Sequence, residues 1–247
     1  MRTFTITLAG AVGGAMLAVA IILVMAQKGL LPINDRQMQT YLMQHPELAP
    51  AMLGQAQVKA QEKARAAQAQ AMRKIGQAAL FDSRIAFVTG PVNAKKTLVE
   101  FYDYDCPYCR ASVPAVKKFY QANKDKVRFA LIEFPIKELH GDSAMRTAKA
   151  SLAARRQPAR YMDFHFALLG REGAISEETI YIEAAKAGMD VTKLQTDMAD
   201  PALDKALEAS IALARKLGVD GTPTFVFNGK LRPGAVDDET LASEMKS

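Results

Sequence analysis

An α/β domain with one central sheet is the fold class this sequence predicts, and three observations carry it. Short runs rich in β-branched and aromatic residues recur at 97–102 (TLVEFY), 127–136 (VRFALIEFPI) and 224–227 (TFVF), as buried strands require. Stretches with apolar residues at helical spacing lie between and after them. The resulting order of strand, strand, helix, strand, helices, strand, strand and helix is that of a layered α/β architecture. Composition supplies the core: 49% of the 247 residues are apolar and 23% charged, with 15 Gly and 11 Pro, which excludes the disordered and collagen-like classes. The length excludes a large multidomain enzyme. A net charge of +6, spread along the chain without dense basic runs, predicts no nucleic-acid partner.

No charged side chain occurs between Thr3 and Gln27, and residues 8–26 (LAGAVGGAMLAVAIILVMA) are almost wholly apolar behind Arg2. Residues 1–29 therefore read as either a signal peptide or a membrane anchor. The apolar length is nearer the ~20 residues of a spanning helix than the ~7–15 of a signal core, while Val24-Met25-Ala26 offers a cleavage site. Either reading exports residue 28 onward, to conditions where cysteine pairs serve as disulfides.

Residues 30–80 follow as a helical stalk. Ala, Gln, Met and Lys dominate it, with no Gly between Gln55 and Ile75, and these are strong helix formers. Ala60, Ala64, Ala67, Ala71, Ile75 and Ala78 recur at roughly heptad spacing. So thin a seam holds no monomeric core, so it is expected to pack on the main domain or to associate with copies of itself. His45-Pro46 and the 47–50 stretch interrupt its first part and predict two helices.

Residues 81–247 carry the α/β domain. A strand at 85–88 ends at Gly90-Pro91, and the strand at 97–102 runs straight into Asp103-Tyr104-Asp105-Cys106-Pro107-Tyr108-Cys109. Val113, Val116, Phe119 and Tyr120 then mark a helix over 111–123, so the cysteine pair opens a helix that follows a strand. After the strand at 127–136, a helical region over about 142–217 is broken at 157–158, 170–173, 188–189 and 200–201. Asn228-Gly229 turns the 224–227 strand into another over 230–235, and a last helix begins at Asp237.

Cys106 and Cys109 are the only cysteines. Side chains at i and i+3 of a helix lie about 5–6 Å apart on one face, within the reach of a disulfide. Cys106, at the amino-terminal edge, faces unsatisfied N–H groups and the positive end of the helix dipole, which favour thiolate over thiol. It is the expected attacking sulfur. Cys109, one turn deeper, is placed to resolve the mixed disulfide that forms on Cys106. Pro107 pre-sets φ in the first turn, and Tyr108 adds no charge. Asp103 and Asp105 work against the thiolate, which predicts a moderate fall in the Cys106 pKa. The spacing also describes half a zinc site, but His45, His140 and His165 are the only histidines; His45 belongs to the stalk and His165 to a helical run. No metal or cofactor is expected.

The strand leading into Cys-Pro-Tyr-Cys, with Gly221-Thr222-Pro223-Thr224-Phe225 and a helical insertion between them, resembles the DsbA-like branch of the thioredoxin-fold thiol-disulfide oxidoreductases over residues 81–247. Residues 101–109 (FYDYDCPYC) and 133–136 (EFPI), with the long amino-terminal helix, are similar to the suppressor-of-copper-sensitivity C proteins and related trimeric disulfide isomerases. The resemblance implies a thioredoxin fold with its helical insertion over about 142–217. It implies that Pro223 is a cis-proline facing the cysteine pair, and that Thr222 offers backbone groups to an extended client segment. Glu100 matches a buried acid that helps move the proton of the inner thiol.

The partners implied are cysteine-containing exported clients, a membrane redox protein that resets the cysteines, and copies of the same chain in a trimer. The place implied is the periplasm, with residues 8–26 as an inner-membrane tether if uncut. Pro-Tyr stands where strongly oxidising members have Pro-His, so the thiolate lacks a positive neighbour and, together with Thr222, the pattern leans to a disulfide isomerase. Two alternatives stay open. One is a DsbA-like dithiol oxidase; the other is a copper-tolerance protein binding Cu(I) through the two thiolates, although Met38, Met43, Met52 and Met72 show no ligand spacing.

Overall fold

The computed structural model describes residues 35–246, which divide into two units, 35–60 and 61–246. The signal or anchor expected over 1–29, with its apolar residues 8–26, lies outside the described residues. Among those described, no helix is long and apolar enough to cross a membrane.

The first unit holds helix α1 (Asp35–Gln44), a 3-10 turn (Pro46–Leu48) and the start of helix α2 (Ala49–Ile75). The break falls at His45-Pro46. Pro50, expected to be part of the interruption, instead lies in the first turn of α2, where its missing N–H has no intrahelical acceptor to lose. Every residue of α2 from Ala49 to Ala67 is exposed, Met52, Leu53 and Val58 among them.

In the second unit, α2 ends against the sheet. Met72, and Leu80 in the 3-10 helix Gln77–Phe81, are buried with Val99, Phe101, Ala130, Ile132 and Val226. The five strands are β1 (Phe87–Thr89), β2 (Lys96–Tyr102), β3 (Val127–Glu133), β4 (Thr224–Phe227) and β5 (Lys230–Pro233). They lie in the order β1-β3-β2-β4-β5. β2 and β3 are parallel, joined by helix α3 (Pro107–Asn123), and the other pairs are antiparallel. Central β2 is buried on both faces. Its Val99 and Phe101 enter the layer that holds Met72 and Leu80, while Leu98 and Tyr102 enter the layer under α3 with Cys109, Val113 and Val116. Strand alternation therefore puts Glu100 on the face of Leu98 and Tyr102.

Strand β5 ends at Pro233 rather than 235, and two further strand limits that differ from expectation have a cause in hydrogen bonds. β1 starts at Phe87 rather than 85, because the N–H groups of Ile85 and Ala86 both donate to the Asp82 carbonyl in a turn. β3 stops at Glu133 rather than 136, because the Ile136 N–H is taken by the Asp103 carboxylate at 2.8 Å. Gly90, after β1, has φ +87, and a Cβ there would lie 2.1 Å from the Val127 carbonyl oxygen. Gly90→Ala should therefore lower stability by about 3 kcal/mol, read as an earlier urea midpoint at unchanged slope.

Between β3 and β4 run α4 (Lys137–Ala154), α5 (Pro158–Leu169), α6 (Glu177–Lys186), α7 (Val191–Met198) and α8 (Ala202–Lys216); α9 (Asp238–Glu244) closes the chain. Ser176, Asp190 and Asp237 cap α6, α7 and α9 by accepting from the N–H groups of Thr179, Lys193 and Thr240. The helical region begins earlier than 142. Its first turn, residues 137–140, is separated from the rest of α4 by Gly141 at φ +69.

Candidate active site

Cys106 stands at the N-cap of α3 with extended backbone, Pro107 opens the helix, and Cys109 lies in the first turn. Both cysteines are buried thiols, whereas Tyr108 between them is 66% exposed. Cys106 Sγ lies 3.1 Å from the Thr222 carbonyl oxygen, and the Thr222–Pro223 peptide is cis. The structure thus brings Cys106, Pro107, Tyr108, Cys109, Thr222 and Pro223 to one place, where the amino terminus of α3 meets the loop before β4.

Cys106 is pulled down to about 5 from an ordinary 9.0, chiefly by the hydrogen bond from Cys109. That bond outweighs burial, and the Thr222 side chain and the backbone groups of Cys109 and Tyr108 add to it. Cys109 is pushed well above the ordinary range by burial, by its bond to Cys106 and by the charges of Glu100 and Cys106. At neutral pH the pair is therefore one thiolate and one thiol. Glu100, buried in β2 with Oε1 unpartnered, is pushed up to about 8 by burial and by the Cys106 charge.

The fall at Cys106 is deeper than the moderate one expected from the flanking acids. The Asp103 carboxylate is committed to three donors: the Asp105 N–H at 3.0 Å, the Ile136 N–H at 2.8 Å and His140 Nδ1 at 2.7 Å. Asp105 itself is pushed up by burial. Removing the Thr222 hydroxyl should reverse part of the fall. The hydroxyl oxygen makes no full hydrogen bond among the described residues, so Thr222→Val should raise the Cys106 pKa by less than the roughly one unit that a charged hydrogen bond is worth, read by titrating thiolate absorbance.

Sequence reasoning missed a buried polar network on the Leu98 face of the sheet. Tyr102 Oη donates to Glu133 Oε1 at 2.7 Å and lies 3.0 Å from both Ser151 Oγ and Tyr161 Oη. Tyr104 Oη donates to Ser151 Oγ at 3.0 Å and lies 3.0 Å from His165 Nδ1. Arg155 pairs with Glu133. His165 is pulled down to about 3 by burial and by Arg155, so it is neutral here. The tyrosines at 102 and 104 were the available signal; Ser151, Arg155 and Tyr161 gave none.

Compared with known proteins, residues 97–246 match the DSBA-like thioredoxin domain. A solved thioredoxin-like oxidoreductase from Silicibacter pomeroyi DSS-3 is 38% identical, with a TM-score of 0.60 over 68% of this chain and 93% of that one. A linker-deletion variant of ScsC from Proteus mirabilis is 25% identical, with a TM-score of 0.64 over 87% and 96%. BcfH from Salmonella enterica Typhimurium is 27% identical, with a TM-score of 0.70 over 93% and 98%. Curated relatives include Na(+)/H(+) antiporters NhaA, that of Herminiimonas arsenicoxydans being 30% identical over 168 residues, 67% of this chain and 26% of the antiporter. The chain spans about a quarter of the length of these relatives, and the ion exchange in their name is theirs.

Proposed function

Since this chain belongs to the DSBA-like thioredoxin domain family, with its thioredoxin-like α/β fold, we propose that it is an exported thiol-disulfide oxidoreductase acting as a disulfide isomerase. The observation that carries the reading is the unequal pair at the start of α3, a Cys106 thiolate beside a buried Cys109 thiol. The thiolate attacks one sulfur of a wrong client disulfide, forming the Cys106–client bond and expelling the other client sulfur as thiolate. A client thiolate then attacks the mixed disulfide and leaves with a new pairing, or Cys109 does so and leaves the client reduced. Cys109 must first lose its proton. Glu100, titrating near 8 close to working pH, is suited to carry that proton both ways. The Thr222 peptide beside Pro223 holds an extended client segment by strand addition.

An isomerase must hold its client through several exchanges. The exposed length of α2 supports association of copies, as a trimer, through the 30–80 stalk, which links several sites and raises effective concentration. Residues 81–247 form the catalytic domain of this scheme, and residues 1–29 export it to the periplasm as signal or inner-membrane tether. Cysteine-containing exported proteins are its clients, and a membrane redox protein resets its cysteines.

One observation favours the second reading, a dithiol oxidase: a Cys106 that titrates near 5 stabilises the reduced enzyme and so makes its disulfide more oxidising. Scrambled-disulfide ribonuclease in a glutathione buffer decides between them. Recovery of ribonuclease activity that requires Cys106 supports the isomerase. No recovery, with fast oxidation of fully reduced ribonuclease, makes it the oxidase; failure of both reactions overturns the redox reading.

A further inference from the structure

We propose that the groove beside the Thr222 loop is the docking site for the client chain next to its reacting cysteine, and that it selects an extended segment with an apolar side chain and a Lys or Arg beside it. The inference rests on the thiol-exchange reading above and deepens it by naming the client sequence the site takes. Two adjoining cavities of about 470 and 590 Å³ make up the groove. Pro135, Ile136 and Glu138 form one wall, and Ile211, Ala212 and Arg215 of α8 form the other. Val219 and Asp220 line the end from which the chain runs into Thr222.

Both walls are tied to the cysteine pair. The Ile136 N–H donates to the Asp103 carboxylate at 2.8 Å, and the Asp103 carbonyl accepts the Cys106 N–H at 3.1 Å. On the other side, Asp220 stands two residues before Thr222, whose carbonyl oxygen lies 3.1 Å from Cys106 Sγ. Two residues of extended chain span at most about 7 Å. A client strand running along the Thr222 backbone therefore brings the side chains about two to four positions from its cysteine over the groove. The walls are preformed, since Phe134 and Val219 are buried in one layer of the core and the Val219 N–H donates to the Ala214 carbonyl at 3.0 Å, so binding has only the client to order. The lining sets the chemistry of the occupant. Ile136, Met145, Ile211 and Ala212 offer apolar contact to a side chain. Glu138, Glu208 and Asp220 are exposed around them. Lys137 is engaged by Asp142 at 2.9 Å, which leaves these three carboxylates against Arg215, an excess of negative charge that complements a basic client residue.

The test measures the second-order rate at which the full chain, reduced, attacks three disulfides. One is oxidised glutathione; the others are nonapeptides dimerised through a central cysteine, flanked on both sides either by Leu and Lys or by Ser and Glu. Each rate is divided by that of the same disulfide with dithiothreitol, which removes its intrinsic reactivity. The Leu/Lys peptide should then react about tenfold faster than the Ser/Glu peptide. Ala212→Trp, at an exposed position of α8, fills the groove and should abolish that preference, while the rate with glutathione, too short to reach the groove, stays within about twofold. Glu208→Lys, also exposed, needs no repacking and should cut the preference about threefold, so it carries the test if Ala212→Trp does not fold. Equal rates for the two peptides, an unchanged preference in either folded variant, or an equal loss with glutathione overturns the inference and leaves the exchange chemistry standing. A Cys106 that fails to react with glutathione in the unmutated protein overturns the reading of the site, and the inference with it.

Discussion

Cys106→Ser abolishes thiol-disulfide exchange, with turnover down at least about a thousandfold, because a serine hydroxyl stays protonated where the cysteine is a thiolate. The pH profile of the unmutated protein gives the sharper check. With Cys106 at about 5, its alkylation rate should be flat above about pH 6 and fall about tenfold for each unit below about pH 5. An inflection near 9 would show that the cluster of donors around the sulfur does not act. Cys109→Ala removes the largest of those donors. The inflection should then move up, and mixed disulfides with clients should persist long enough to be isolated by acid quench and mass spectrometry.

Arg155→Met should cost about 3–5 kcal/mol of folding stability, the usual result of leaving one member of a buried ion pair alone. Glu133 is 1% exposed and Arg155 9% exposed, and the same guanidinium donates to the Leu131 carbonyl at 3.2 Å. With Arg155 gone, Glu133 keeps the Tyr102 hydroxyl but no counter-charge. Removing the charge as well, in Glu133→Gln/Arg155→Met, should return much of the loss. Urea unfolding of the single and double variants reads both effects, and a single-variant loss under about 1 kcal/mol would mean that water reaches the carboxylate.

What could be read from the chain was local. The i, i+3 cysteines, the buried strand at 97–102 and the helix breaks at Gly170, Gly188 and Pro201 each depend on neighbours within a few residues, whereas the burial of Glu100 was implied by the family resemblance. The deeper fall of the Cys106 pKa could not be read in full, since it draws on Thr222, 116 residues away, as well as on Cys109. The tyrosine network was hidden for the same reason, because Tyr102 meets Ser151 and Tyr161 across separations of 49 and 59 residues. Local spacing identifies which sulfur attacks. How strongly it is ionised depends also on what a distant segment places beside it.

The donors around Cys106 also act on the folding equilibrium. Its pKa is about 5 in the fold against 9.0 ordinarily. The depressed value stabilises the folded dithiol above the unfolded pKa, and that stabilisation is lost as pH falls through about 5. The disulfide form has no such sulfur to titrate; the Cys109 thiol of the dithiol form is pushed above this range, and Glu100 is raised mainly by burial, which both forms share. The melting temperature of the dithiol protein relative to the disulfide protein should therefore decline between about pH 9 and pH 5 and level off below. Acidification would then favour the disulfide-bonded state through the heat resistance of the chain itself, independently of any client.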